Sequence, residues 1–487
     1  HAKDCLTCTR SGNCELQDLA VKFNIQNVEF PGEVTQHKID DKSPAIVRDF
    51  NKCILCRRCI STCKKVQEIG AIDCIERGFE SCISTTYDHS LNDVDCTFCG
   101  QCIESCPTGA LHEKESINDV WAKLKDPDTY VVVQTAPAVR VALGEEFGMP
   151  IGTNVKGKMV TALKRLGFDK VFDTNTGADL TIMEEANEFV ERLQNGGTFP
   201  MITSCSPGWV RFAEKNYGDL LDHLSSCKSP HQMFGAIIKS YFASKYGIDR
   251  NKICTVSVMP CIAKKYECTR PEMEVDGVRD VDYVITTREL SRMIKQANID
   301  FTQLEDSNFD DPMGEATGAG AIFGTTGGVM EAAIRTAVDT LENRSIDRIE
   351  YTEVRGEKEI KEATLNVAGK EVKIAVASGL ANARKIMEQI RRGESPYHFV
   401  EIMACPGGCV MGGGQAIKSS SIRSTVDVRK LRASALYAID EKSVIRKSHE
   451  SPVMKQLYAE FLEKSGSHLA HKYLHTTYTP KPKYDIE

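Results

Sequence analysis

Two cysteine runs of identical spacing constrain this chain more than any other feature of its sequence. They follow the pattern C-x2-C-x2-C-x3-C and consist of Cys53, Cys56, Cys59 and Cys63, and of Cys96, Cys99, Cys102 and Cys106. Repeated C-x-x-C spacing brings several sulfurs onto one tight turn, which suits a metal cluster far better than disulfides. Secreted disulfide scaffolds are usually short, whereas this chain has 487 residues and 20 cysteines. We therefore expect a reducing, cytoplasmic compartment.

The repeated spacing is typical of bacterial ferredoxins that carry two 4Fe–4S clusters, in which the fourth cysteine of each run binds the other cluster. One cluster is thus expected on Cys53, Cys56, Cys59 and Cys106, and the other on Cys63, Cys96, Cys99 and Cys102. Structural zinc is the alternative, but zinc knuckles use paired C-x-x-C units rather than triplets with a distant fourth ligand. The repeat predicts an α+β, ferredoxin-like domain over residues 45–116.

Residues 1–44 are polar and hold a third group of potential ligands, His1, Cys5, Cys8 and Cys14. One nitrogen and three sulfurs can hold a 4Fe–4S cluster or a zinc ion, and His1 can also be the remnant of a tag. The position directly before two ferredoxin-type runs favours a third cluster. The chain begins at His1 rather than Met. A targeting signal upstream of His1 that was removed is therefore an open alternative.

The remaining residues, 117–487, have the texture of a layered α/β domain. The composition is globular, with 41% hydrophobic residues, and the net charge of −7 argues against nucleic acid as a partner. No stretch is long and apolar enough to cross a bilayer. Apolar runs are predicted as strands at 130–133, 200–203, 253–259, 283–285, 372–376 and 399–403. Helix-like segments alternate with them at 156–165, 184–193, 289–297, 329–341 and 381–390.

This alternation predicts parallel strands in α/β layers, whose sites form at the carboxyl ends of the strands. Cys205, Cys261 and Cys405 each follow one of the apolar runs. Thr286 with Glu289 predicts a capping box at the start of one helix. The glycines between residues 318 and 324 lack the dinucleotide-binding fingerprint, and we interpret them as a close-packing loop near Phe323.

Four separated segments carry the chemistry of this domain. They read TSCSPGW at 203–209, MPCIAKKYE at 259–267, EIMACPGGCVMGGGQ at 401–415 and EEANE at 184–188. A single free cysteine is often just a buried core residue. Cys405-x3-Cys409 lies in a glycine-rich loop, and glycines allow a backbone to approach a bulky ligand closely.

The three cysteine segments resemble the signatures of the catalytic subunit of iron-only (FeFe) hydrogenases of the clostridial type with accessory clusters. The resemblance extends from His1 to about Tyr473. It implies an H-cluster, which is a 4Fe–4S cubane joined through one cysteine sulfur to a two-iron centre with CO, cyanide and a dithiolate bridge. It also implies two lobes of parallel-rich sheet flanked by helices, and the reversible reduction of protons to dihydrogen. Relatives with this layout usually carry an upstream 2Fe–2S domain, and we expect this chain to be a form without it.

The resemblance also implies roles for individual residues. Cys261, Cys405 and Cys409 look like cubane ligands, with Cys409 as the bridging one, and Lys264 resembles the residue that hydrogen-bonds a cyanide. The residues expected to pack around the cofactor are Met259, Met403, Phe323, Ser229 and Pro137.

A proton relay is the second implied feature. Cys205 resembles the thiol that passes protons to the bridging amine, and the outward route is Glu185, Ser225, Glu188 and Arg192. Carboxylates, hydroxyls and thiols can both give and take a proton, as a relay requires. The alternative interpretation of the two glutamates is a solvated helix face.

Ser206 departs from the family pattern, since relatives have a cysteine there as the fourth cubane ligand. A serine is a harder ligand with a much higher pKa, so it binds iron less readily. Ser206 can ligate as an alkoxide, Cys205 can replace it at the cost of the relay, or the cluster can be unstable. Ala138 and Ala416 are two smaller departures, expected to tune function.

The resemblance implies electrons that pass from the N-terminal clusters to the cubane, and partners that include a ferredoxin or flavodoxin-like carrier and maturation proteins. Three alternatives share parts of the pattern: an iron–sulfur assembly factor, a sensory hydrogenase and a pure electron-transfer subunit. Lys264, the two methionines and the relay glutamates argue against the first. Cys205 and the absence of a signalling domain argue against the second, and the whole C-terminal half against the third.

Overall fold

Two four-stranded sheets carry the larger part of the chain in the computed structural model, which describes residues 5–27, 32, 35–314, 316–356, 358 and 360–485. The strands are β1 Ile46–Arg48, β2 Asp73–Ile75, β3 Cys82–Ser84, β4 Leu111–Glu113, β5 Tyr130–Thr135, β6 Lys170–Asp173, β7 Met201–Ile202, β8 Ile253–Met259, β9 Glu274–Val275, β10 Val278–Arg279, β11 Tyr283–Thr286, β12 Ile360–Val367, β13 Lys370–Ser378 and β14 Phe399–Met403. The α-helices are α1 Glu15–Lys22, α2 Arg58–Ser61, α3 Gln101–Ser105, α4 Ile117–Lys125, α5 Lys156–Leu166, α6 Thr174–Asn195, α7 Pro207–Asn216, α8 Pro230–Ile237, α9 Ala243–Tyr246, α10 Ala263–Glu267, α11 Thr287–Gln296, α12 Gly318–Ile322, α13 Gly328–Glu342, α14 Leu380–Arg391, α15 Ser420–Arg423, α16 Val428–Lys442, α17 Pro452–Leu457 and α18 His468–Leu474.

The first sheet has the order β11-β8-β5-β6, and all its strands are parallel. The second has the order β12-β13-β14-β7, with β12 antiparallel to β13 and the other pairs parallel. All seven residues of β8 and all five of β14 are buried, as expected of parallel strands covered by helices on both faces. The α/β architecture predicted from the sequence is therefore confirmed.

The ferredoxin-like part is built from two small antiparallel pairs, β1 with β4 and β2 with β3. Its internal repeat is visible in the backbone. Leu55 and Phe98, each two residues after the first cysteine of a run, both have positive φ, at 55° and 56°. Both donate their backbone N–H to that cysteine's sulfur, at 3.3 and 3.5 Å. Non-glycine residues rarely adopt this conformation, so its repetition marks two copies of one ligand-presenting loop.

The predicted strands and helices are present, and most differ from the prediction by a few residues at their ends, but the helix predicted at 184–193 begins ten residues earlier, as α6 at Thr174. The capping box is also confirmed, because Glu289 N donates to the Thr286 hydroxyl at 3.1 Å and Thr286 N donates to the Glu289 carboxylate at 2.7 Å. The loop interpretation of residues 318–324 is wrong, since this segment begins with helix α12. Gly320 packs so closely on α6 that a Cβ would lie 2.6 Å from the Asn175 carbonyl oxygen, and a glycine-rich helix allows that contact.

None of the helices in the described part of the chain combines the length and apolar character needed to span a bilayer.

Candidate active site

A cavity opens where the carboxyl ends of strands from both sheets meet, with about 840 Å³ of space free of protein atoms. Four cysteine sulfurs come together here from three strand ends, as open α/β sheets favour. The residues of the sequence-predicted site that line it are Pro137, Cys205, Ser206, Met259, Cys261, Lys264, Phe323, Met403, Cys405 and Cys409. Cys99 of the second ferredoxin-type run lines it as well. Ser229 does not belong to this lining.

The glycine-rich loop after β14 is shaped by contacts with protein backbone. Gly408 has φ +89°, and a Cβ there would lie 2.7 Å from the Thr326 nitrogen. A Cβ on Gly413 would lie 2.7 Å from the Cα of Gly100. The sequence-based argument assigned these glycines to close approach of a ligand. In the structure, the glycines at 408 and 413 bring the loop against neighbouring segments, and this packing fixes Cys405 and Cys409 beside the cavity.

Ser206 lies beside the cavity, at the position where the resemblance implies a fourth cubane ligand. It immediately precedes α7, whose first residue is Pro207, and its hydroxyl makes no helix cap. Instead the hydroxyl oxygen accepts a hydrogen bond from the backbone N–H of Ala404, at 3.2 Å, next to Cys405. The backbone therefore presents this side chain correctly, and the difference from the family is in the donor atom.

The side chains around the cavity fit an iron–sulfur cluster with three thiol ligands and one weaker ligand, Ser206. None of the 20 cysteines forms a disulfide, so their sulfurs are available as ligands. Burial raises the pKa of Cys409 to about 12 and that of Cys405 well above its ordinary value; neighbouring thiols add to both shifts, and the charge of Lys264 offsets only part of the shift at Cys409. Iron would supply the compensating positive charge, and thiolates are its preferred soft ligands. Ser206 adds an oxygen, which is a poorer partner for such a cluster.

Lys264 belongs to a buried polar network that sequence reasoning missed, and another member of this network, His231, also lines the cavity. Its ammonium donates to the Glu267 carboxylate at 2.9 Å and to the Cys205 carbonyl oxygen at 3.2 Å. The same carboxylate oxygen of Glu267 is 2.5 Å from His231 Nε2 and accepts from the Ser229 hydroxyl at 2.9 Å. Ser229 thus orients Glu267 instead of lining the cavity.

Charges explain the protonation of this network. Burial opposes ionisation of Glu267, but the positive charge of Lys264 and the contact with His231 lower its pKa to about 2. Burial, and then the charge of Lys264, lower the pKa of His231 to about 4. At neutral pH an ionised Glu267 therefore holds Lys264, while His231 is neutral. The only sequence signal was the i, i+3 spacing of Lys264 and Glu267 on α10.

The relay residues lie along α6 and the segment before α8. The Ser225 hydroxyl donates to Glu188 at 2.9 Å, and Arg192 donates to the other oxygen of Glu188 at 2.6 Å. Glu185 is fully buried, and neither of its oxygens has a hydrogen-bond partner of ordinary geometry. Burial, and then the charge of Glu188, raise the pKa of Glu185 to about 8. Burial and the Glu185 carboxylate also raise the pKa of Cys205.

A side branch leaves Glu188 and was not foreseen. The Ser226 hydroxyl lies 3.3 Å from Glu188 and 2.8 Å from His475 Nδ1. His475 Nε2 lies 3.1 Å from Glu184, which also accepts from Tyr458. No local pattern could have revealed contacts between residues so distant in sequence.

The accessory cysteines fall into two groups that mix the runs. A void of about 470 Å³ is lined by Cys53, Cys56, Cys59 and Cys106. Burial, followed by the nearby sulfurs, raises the pKa of Cys102, and those neighbours include Cys99, Cys96 and Cys63. The thiol of Cys405 donates to the carbonyl oxygen of Cys99 at 3.9 Å, so the second group reaches the large cavity.

In the third group, Cys5 is exposed, Cys8 half-buried and Cys14 buried. A Cβ on Gly109 would lie 2.8 Å from the Cys8 sulfur, which places this group beside the end of the second run. His1, the predicted fourth ligand, lies outside the described residues.

Comparison with known proteins supports the assignment from every part of the chain. The description "Iron only hydrogenase large subunit, C-terminal domain" matches residues 129–413, and "Iron hydrogenase small subunit" matches 426–481. "NADH-ubiquinone oxidoreductase-G iron-sulfur binding region" matches 1–29, and "NADH-quinone oxidoreductase subunit 3, ferredoxin-like domain" matches 43–112.

Individual relatives agree. The chain is 50% identical to "NADP-reducing hydrogenase subunit HndD" of Solidesulfovibrio fructosivorans, over 98% of this chain and 82% of that protein. It is 47% identical to "Iron hydrogenase 1" of Clostridium pasteurianum, over 98% and 83%. A solved variant of [FeFe]-hydrogenase HydA1 from Chlamydomonas reinhardtii superimposes with a TM-score of 0.67 at 40% identity, covering 75% of this chain and 99% of that one.

Fold and site together define an iron–sulfur oxidoreductase with ferredoxin-like and NADH-oxidoreductase-type segments ahead of its catalytic domain. The chain belongs to the iron-only (FeFe) hydrogenase family, as a large subunit. The resemblance inferred from the cysteine motifs is confirmed. Iron–sulfur clusters and an H-cluster are the cofactors that this membership implies.

Proposed function

We propose that this chain catalyses the reversible reduction of protons to dihydrogen at an H-cluster held by Cys261, Cys405 and Cys409, with Ser206 at the fourth corner. The observation that carries this proposal is the convergence of the three thiols of Cys261, Cys405 and Cys409 with Lys264 and Cys205 on one cavity. When bound, the H-cluster supplies the redox chemistry that joins two protons and two electrons.

The residues of the chain then have separate tasks. Lys264, fixed by Glu267, offers an ammonium group to an anionic ligand of the cofactor. Met259, Met403, Phe323 and Pro137 give the cavity an apolar lining that excludes water. Cys205 exchanges protons with the cavity and with Glu185, and Ser225, Glu188 and Arg192 continue the route to the surface.

We further propose three accessory 4Fe–4S clusters, on the two mixed groups of ferredoxin-type cysteines and on His1, Cys5, Cys8 and Cys14. The approach of Cys99 to Cys405 supports electron delivery along this series. A ferredoxin or flavodoxin-like protein is the proposed electron partner. The Solidesulfovibrio relative is named an NADP-reducing hydrogenase subunit, so an NADP-linked complex is the second candidate. Maturation proteins for the two-iron centre are proposed as further partners.

An anaerobic infrared spectrum of the matured protein tests the central proposal. We expect sharp bands in the regions where iron-bound carbon monoxide and cyanide stretch, together with hydrogen evolution from a reduced dye. If both kinds of band are absent while the iron content fits several cubanes, the chain is an electron-transfer protein with an incomplete catalytic site.

The accessory cluster assignment predicts that two cysteines far apart in sequence serve one cluster. Cys53→Ala and Cys106→Ala are each expected to lose the same electron paramagnetic resonance signal and about four iron atoms per chain. Cys63→Ala should lose a different signal. Cys74→Ala, which changes a half-buried cysteine outside both groups, is the control and should keep both. Different signals lost in Cys53→Ala and Cys106→Ala would contradict the mixed assignment.

The raised pKa of Glu185 predicts an alkaline limit for hydrogen production. The carboxyl group is protonated below its pKa of about 8 and ionised above it, so it can deliver a proton inward only on the acid side. We expect hydrogen evolution at an electrode to fall as the pH rises through that value. Hydrogen oxidation, in which Glu185 must accept a proton, is the control and should not fall there. A parallel fall of both rates would contradict the assignment.

A further inference from the structure

A second group of metal-ligand side chains lies outside the cavity and shares only Glu188 with the proposed relay. Glu188, Cys227 and His475 each present one ligand atom, and these atoms all lie within 4.8 Å of one another. The Cys227 sulfur is 4.0 Å from a Glu188 oxygen. Cys227 and His475 face each other in an isolated antiparallel β-bridge, which directs their side chains to the same face. Glu188 reaches this face from α6.

We propose that Glu188, Cys227 and His475 form a binding site for Zn²⁺, and that zinc bound there stops hydrogen turnover by occupying the relay. The inhibitory part rests on the proposed function, because it requires Glu188 to carry protons. The binding part does not.

The ligand chemistry selects zinc. One thiolate, one imidazole and one carboxylate, with a water in the fourth position, form a typical tetrahedral zinc set. Calcium and magnesium prefer oxygen ligands only, so the thiol of Cys227 selects against them. On binding, Cys227 releases its proton to solvent, and Glu188 exchanges its contact with Arg192 for the metal.

The surroundings favour a cation. The carboxylates of Glu184 and Glu188 face the site from α6, and the guanidinium of Arg192 pairs with Glu188. Arg192 can release Glu188 without losing all its partners, because it also donates to the carbonyl oxygens of Thr198 and Leu224, at 3.1 and 3.0 Å.

A path for the ion also exists. The side chain of Cys227 is buried, but Glu188 keeps 16% of its side-chain surface exposed. The ring of His475 packs against the ring of His471, with centroids 4.2 Å apart, and His471 is exposed. The two histidines therefore connect the site with solvent.

The test uses the matured holoenzyme and zinc chloride. We expect micromolar to submillimolar zinc to inhibit hydrogen evolution reversibly, with EDTA restoring the rate, in the affinity range open to a three-ligand site. X-ray absorption at the zinc edge, after unbound metal is removed, should show one sulfur among nitrogen and oxygen neighbours. Unchanged iron content and cluster signals exclude attack on the clusters.

Two variants locate the site. Cys227→Ser and His475→Gln are each expected to keep basal activity and to require at least about tenfold more zinc for half-inhibition. Cys227→Ser should also lose the sulfur neighbour. His449→Gln, which removes a histidine from the separate Asp339–His449–Glu450 group, is the matched control and should respond to zinc like the parent.

The outcomes distinguish zinc binding at this site from the proposed inhibition of the relay. Zinc that binds with one sulfur but leaves turnover unchanged would overturn the inhibitory role and count against Glu188 as a relay residue. Absence of a sulfur neighbour, or unchanged zinc sensitivity in both variants, would overturn the site itself. An inactive parent enzyme leaves the absorption measurement as the deciding result, since zinc binding does not need turnover.

Discussion

Ser206→Cys is expected to raise both the occupancy of the catalytic cluster and the rate of hydrogen evolution. The Ser206 side chain already points to the cavity beside Cys405, so a thiol there needs no rearrangement of the backbone. A softer ligand that ionises more readily binds iron better. Outer-shell partners of metal ligands are worth roughly 10–100-fold in affinity or activity, and we expect a direct ligand to be worth at least as much. Iron analysis, infrared bands and turnover measure the change.

Ser206→Ala is the companion variant, because it removes the hydroxyl without adding a thiol. If Ser206 ligates iron in the parent, the alanine variant should lose cluster and activity beyond the parent level. If the alanine variant and the parent have equal iron content and activity, the Ser206 hydroxyl is not an iron ligand. A cysteine variant no better than the parent in iron content and rate would show that the fourth corner does not limit this protein.

Glu185→Gln is expected to lower hydrogen turnover by about 10²–10⁴-fold, the range typical of a lost proton-transfer group. The amide keeps the shape of the side chain, but it cannot give up and regain a proton. Glu185 is fully buried and lies between Cys205 and the Ser225–Glu188 pair, so solvent cannot easily replace it. Turnover at an electrode measures the loss, while the infrared spectrum should retain the bands of the parent.

The matched control for this variant is Glu191→Gln, which makes the same change at an exposed position on the same helix. Asn187 donates to Glu191 at 3.0 Å, and a glutamine oxygen can still accept that bond. Normal turnover in Glu185→Gln would contradict the relay. A loss of the infrared bands in Glu185→Gln would indicate instead that this residue supports assembly of the cofactor.

Sequence reasoning succeeded where one short segment contains the whole signal. The buried parallel strands read as continuous apolar runs, and each cysteine motif carries its ligands within a few residues. It missed β6 and β12: β6 has only four residues, and β12 is an edge strand of mixed polarity.

The buried polar contacts around the site could not be predicted from the sequence, for a different reason. His231 and Glu267, or Glu184 and His475, lie on different elements, and only the packed fold brings them together. Ser229 shows the same limit. The resemblance placed it among the cofactor-packing residues, whereas its hydroxyl orients Glu267 one layer further out.

The contact between Gly100 and Gly413 has a consequence for redesign. Gly100 belongs to the second ferredoxin-type run and Gly413 to the glycine-rich loop after β14. A side chain on Gly413 would collide with the backbone of Gly100. The ferredoxin-like portion is therefore not an exchangeable module that can be replaced by any donor of similar potential. In a chimera, a larger residue at Gly100 or Gly413 is expected to push these two segments apart.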